Sequence, residues 1–94
     1  MTFDSHIDFL TDKLNATLKN KNHDYGDSYS KSVDEYGNVV MVIRISDKLS
    51  RLNQLLKDDD RKVSDESIDD TLLDLAGYAL LGYRDWETDR KSVV

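Results

Sequence analysis

At 94 residues the chain makes one small domain with a modest core and little surplus stability, so association with a second copy is the default expectation. A formal charge of −6 argues against direct binding of duplex DNA or RNA, which needs a broad positive field. The absence of cysteine removes disulfides, thiolate zinc sites and cysteine nucleophiles together, and two histidines leave little for an imidazole metal site.

No apolar run approaches the roughly 20 residues of a membrane span, and the first residues show no basic-then-apolar leader. A cytoplasmic protein is expected. Phe3, Ile7, Leu10, Leu14 and Leu18 recur at helical spacing, which predicts a first helix over about residues 4–20, with Asp4 or Ser5 as its N-cap. The polar run Lys19-Asn20-Lys21-Asn22 should end it, because asparagine competes for backbone hydrogen bonds. Residues 22–37 then read as a long loop carrying Tyr25, Tyr29 and Tyr36, a composition commoner in binding loops than in plain connections. The alternative is that these rings fold back and cap the core.

Val42, Ile45, Leu49, Leu52 and Leu56 predict a second helix over about 38–57. Its β-branched start could pass for a strand, but the stripe continues unbroken and no second strand is on offer. Asp58-Asp59-Asp60-Arg61-Lys62 reads as a solvated connection, and Ser64 or Asp65 caps a third helix over about 65–83. On that helix Ile68, Leu72, Leu75, Ala76, Ala79 and Leu80 form the expected core arc, with Glu66, Asp70, Asp74 and Gly77 opposite. The fold class is all-α: three helices around one core, with no sheet.

After Tyr83 the pattern changes. Residues 84–94 lack a helical apolar stripe, and Asp89-Arg90-Lys91-Ser92-Val93-Val94 matches the in-frame translation of a common short-read sequencing adaptor up to its stop. A native domain over residues 1–83 is expected, followed by a non-native or disordered tail. Trp86 carries no functional weight in this reading.

Two constellations carry possible chemistry. Glu66, Asp70 and Asp74 stand one helical turn apart, a spacing at which carboxylates can converge on magnesium. The plainer reading of Glu66, and of Asp69 beside it, is a complement to the helix dipole. Asp74 lies too deep in an apolar run for that explanation, so it needs a cation or hydrogen bonds. Arg44, Asp47, Lys48 and Arg51 share one face of the second helix, suited to phosphate or carboxylate. They could equally pair among themselves at i+3 and i+4, and a contact of Asp74 with Arg44 or Arg51 would compete with the metal. His23 beside Asp24 reads more readily as a turn residue than as a catalyst, and His6 as an exposed side chain. Gly26 and Gly37 stand alone, so no glycine-rich phosphate loop is present.

Three blocks taken in order resemble one family. They are Lys19-Asn20-Lys21-Asn22-His23-Asp24-Tyr25-Gly26-Asp27-Ser28, Arg44-Ile45-Ser46-Asp47-Lys48-Leu49-Ser50-Arg51-Leu52, and Asp65-Glu66-Ser67-Ile68-Asp69-Asp70-Thr71-Leu72-Leu73-Asp74-Leu75-Ala76-Gly77-Tyr78-Ala79. The resemblance is to the first nucleotide modification associated domain family, small proteins of phages and bacteria. It implies a nucleotide-modification context and supplies no reaction. A weaker likeness runs to all-α nucleotide pyrophosphohydrolases of the MazG type, which hold magnesium at ExxE and ExxD spacings. Glu66-Ser67-Ile68-Asp69 supplies an ExxD here, but no ExxE accompanies it, which weighs against hydrolysis.

The expected function is therefore nucleotide binding or processing, with Asp24, Tyr25, Gly26, Arg44, Asp47, Lys48 and Arg51 at the nucleotide, Glu66, Asp70 and Asp74 on magnesium, and a homodimer as the unit. No catalytic residue is assigned. The rival is a non-catalytic interaction module whose charges form an inter-helix salt-bridge network.

Overall fold

The computed structural model describes residues 1–24, 27–57 and 65–93, with the backbone alone for 65–67 and 89–93. Four α-helices follow in order among the described residues: α1 (Phe3–Asp24), α2 (Ser28–Tyr36), α3 (Val39–Lys57) and α4 (Asp65–Val93). The all-α class holds, and the described residues contain no strand. No helix among them is long and apolar enough to cross a membrane.

The cap of α1 is Thr2 rather than Asp4 or Ser5. Thr2 N–H donates to Ser5 Oγ and Ser5 N–H donates to Thr2 Oγ1 at 3.0 and 3.1 Å, so two orphan amides of the first turn are satisfied reciprocally. The helix also outruns its expected end and continues to Asp24. Asparagine is only a weak terminator, and Lys21 is held in the last turns by Asp74 of α4.

The expected loop is largely a helix. Asp27 takes a left-handed conformation with φ 64°, turning the chain, and its carbonyl accepts from Lys31 N–H at 3.2 Å to start α2. Tyr29, Val33 and Tyr36 lie at i, i+4 and i+7 on it, a short apolar stripe interleaved with serines that are poor helix formers. Gly37, at φ 85°, stops α2, and its N–H donates to Val33 O at 2.7 Å.

The pairing of α3 with α4 is antiparallel, since Gly82 meets Met41 and Asp74 meets Lys48. At Gly82 the helices come so close that an added Cβ would stand 2.9 Å from Met41 Cγ. Val40 and Leu55 of α3 and Thr71 of α4 are buried, while Met41, Ile45, Lys48, Leu52, Ile68, Leu75 and Tyr78 are half-buried. Against the expected arcs, Leu72, Ala76, Ala79 and Leu80 are exposed, as are Val42, Leu49 and Leu56. The reason is α1, which packs on the other side of α4, where Gly77 offers no side chain: a Cβ there would lie 2.9 Å from Leu18 Cδ2. Past Tyr83, α4 continues as helix to Val93. The caps proposed for its start lie outside the described residues (Ser64) or the described side chains (Asp65).

Candidate functional site

The four helices border a cavity of about 530 Å³, within the size range of small-ligand sites. Leu14 and Leu18 of α1 and Leu73, Gly77 and Leu81 of α4 give it an apolar floor. Lys19 and Lys21 enter from α1, Arg44 and Lys48 from α3, and Arg84 from α4, against the single carboxylate of Asp74. On a chain of net charge −6, this lining is locally positive. Tyr29 of α2 and Tyr78 of α4 complete it, their ring centroids 5.8 Å apart and the planes inclined by 34°, a tilted pair.

Asp74 ties three helices together. Its Oδ1 takes Lys21 Nζ at 2.5 Å and its Oδ2 takes Lys48 Nζ at 3.1 Å, with the carboxylate 20% exposed. Burial by itself pushes this carboxyl up. The hydrogen bonds and charges of Lys21 and Lys48 outweigh burial and hold it below the usual carboxylate range. Its cations are therefore the two lysines, in place of Arg44 or Arg51. The Tyr29 hydroxyl is buried with no hydrogen-bond partner among the described residues, and its pKa is raised, first by burial and then by the charge of Asp85, against the opposing charges of Arg84 and Arg44.

Of the residues expected at the nucleotide, Arg44 and Lys48 line the cavity, while Asp47 and Arg51 are exposed and do not border it. Asp24 is also outside, 74% exposed and 3.6 Å from His23; Tyr25 and Gly26 lie outside the described residues. For magnesium, Asp74 borders the cavity but spends both oxygens on ammonium groups. Asp70 is exposed and the Glu66 side chain lies outside the described ones. Among the described residues no three or more His, Cys, Asp or Glu side chains gather closely enough to hold an ion. An Asp74 already neutralised by two ammonium groups does not fit a divalent cation without giving one of them up.

The family model for Nucleotide modification associated domain 1 matches residues 21–83, about two-thirds of the chain. The chain belongs to that family. No curated protein and no solved structure matches it. Within the matched stretch of this nucleotide modification associated domain lie Lys21, Tyr29, Arg44, Lys48, Asp74 and Tyr78. Arg84 and the helical extension beyond it fall outside the match.

The lining residues of the domain that sequence reasoning missed are informative. Lys19 and Lys21 read in the sequence as helix-ending polar residues, and their place at the cavity appears only once α1 continues for another turn. Tyr78 lies off the arc of Leu72 and Leu80 that periodicity sets against the core, so its position gives no signal in the sequence. The stripe Tyr29-Val33-Tyr36 was the available signal for α2. Gly77, the one small residue on its face, was the signal for a close helix approach.

Proposed function

We propose that this domain binds a nucleotide or modified nucleotide in the cavity, its phosphates on Lys21, Arg44 and Lys48 and its base or sugar against Tyr29 and Tyr78. The observation that carries this reading is the lining itself, with basic side chains converging on one wall and a tyrosine pair on another. Arginine forks and lysine point charges suit phosphate oxygens, and aromatic faces accept any base. Asp74 fits this reading as a positioning residue, holding two flexible ammonium groups where an anion meets them both. Magnesium in this reading arrives on the ligand's phosphates and is not caged by Glu66, Asp70 and Asp74. The working unit is a homodimer, and the setting is the bacterial cytoplasm, where nucleotide pools are found, whether the chain is encoded by the bacterium or by its phage.

Thermal shift against a nucleotide panel, with and without magnesium, tests this. A ligand at about 100 times its Kd stabilises by roughly 2.7 kcal/mol, a rise of roughly 10–20 °C in a domain of this size. Lys48→Ala should abolish the rise. A flat response to every nucleotide, with the helical spectrum intact, would overturn the proposal. Where binding is seen, assay of phosphate and pyrophosphate release separates processing from binding alone.

One observation favours the second reading, a non-catalytic interaction module. The Lys21–Asp74–Lys48 cluster already pins α1 and α3 to α4, as a register-fixing salt-bridge network would. On that reading Lys48→Ala lowers stability equally with and without nucleotide.

A further inference from the structure

The two exposed apolar stripes lie on one side of the α3–α4 pair. On α3, Val42, Leu49 and Leu56 follow one another at intervals of seven; on α4, Leu72, Ala76, Ala79 and Tyr83 follow at four, three and four, with Leu80 beside them. At about 100° per residue, each stripe is centred roughly 90° further round its helix than the side that faces the other helix. Because α3 and α4 are antiparallel, equal rotations carry both stripes to the same side. α1, whose Leu18 meets Gly77, occupies the opposite side with the cavity.

We infer that this two-helix apolar face is the dimer interface, seated on the same face of a second copy to close a four-helix bundle. The inference rests on the reading of the working unit as a homodimer and adds the surface that makes it. Six large side chains on the face, Val42, Leu49, Leu56, Leu72, Leu80 and Tyr83, are 48–61% exposed. Together they offer on the order of several hundred Å² of apolar surface, in the range of the largest and often functional patch on a monomer and most of one side of a standard interface.

Spacings of three, four and seven are those of knobs-into-holes helix packing, and Ala76 and Ala79 permit close approach. A second copy is favoured over another partner by the charges at one end of the face. Exposed Lys57, the last residue of α3, and exposed Asp69, near the start of α4, stand at the same end of the pair. A two-fold axis along the helices lays α3 over the partner's α4 in antiparallel fashion, which brings Lys57 of each copy towards the acidic start of the other copy's α4. The cavity lies on the far side and stays open.

Light scattering on the full chain tests both levels. The native protein should elute at twice the 10.8 kDa chain mass, and Leu49→Glu should halve the measured mass while retaining the helical spectrum. A native monomer overturns the dimer and its face together. A native dimer that Leu49→Glu leaves intact overturns the face alone. Should Leu49→Glu fail to fold, cross-linking decides. In a chain without cysteine, Ala79→Cys should be joined to its copy by a short bis-maleimide, while Asp47→Cys, exposed on the side of α3 opposite the Val42–Leu49–Leu56 stripe, should not. Equal cross-linking at both positions, or none at Ala79→Cys, overturns the face.

Discussion

The two sides of the α3–α4 pair are built from opposite materials. One side carries Lys21, Arg44, Lys48 and Asp74 around a cavity, with a tyrosine pair beside them; the other carries leucine, valine and alanine with Lys57 and Asp69 at one end. What separates them is which side α1 covers. A half-buried carboxylate must be neutralised, and α1 does this with Lys21 while its Leu18 fills the space above Gly77. The charged side is thus closed within the chain, and the apolar side is left exposed by it. A helix whose two faces could each pass for a core has its inward face chosen by where a partner helix can come closest.

Substitutions separate the shared scaffold from each side. Leu55→Ala, at a buried site that supports both faces, should cost about 2–5 kcal/mol, enough to unfold much of a small domain, and chemical denaturation would register it. Gly82→Ala should cost about 1–3 kcal/mol, because the new Cβ presses on inner atoms of the Met41 side chain where α3 and α4 cross. Gly77→Ala is the informative contrast. The atom it meets is the far end of Leu18, which can turn aside, and alanine gains up to about 1 kcal/mol of helix propensity over glycine. The change in melting temperature should therefore be near zero. A Gly77→Ala loss as large as that of Gly82→Ala would mean that α1 is held as rigidly as α3.

These contrasts also show how much was legible. The all-α class and the spans of α3 and the start of α4 follow from apolar periodicity, which is strong where stripes run for several turns. α2 escaped because its stripe spans barely two turns and is diluted by Ser28, Ser30 and Ser32. Arg44, Lys48 and Asp74 were visible as charges on apolar helices, where each demands an explanation. Asp47 and Arg51 looked equivalent to them on a wheel, yet they face away from the cavity, and only packing makes that distinction. Lys21 and Tyr78 were hidden for the same reason, since their importance depends on α1 lying against α4. The tail is a separate matter: α4 runs on as helix past residue 83, while the family match stops there. A continuous read through codons 84–94 from source DNA would rule out the adaptor origin.

The smallest effect expected lies in the acid limb of stability, and it probes the charged side alone. The Asp74 carboxyl is held below its ordinary value of 3.8. A depressed folded-state value means that the unfolded chain takes up this proton at higher pH than the folded one does. The contribution of Asp74 is therefore complete above about pH 4 and is lost as the pH falls through the folded value. Asp74→Asn removes the titration together with the two ammonium contacts, so its melting temperature should start lower at neutral pH and fall less steeply in acid. The two curves should converge at the acid end. If they stay parallel, Lys21 and Lys48 do not hold the charged form of Asp74, and the cluster that joins α1 and α3 to α4 is worth no more than an exposed surface pair.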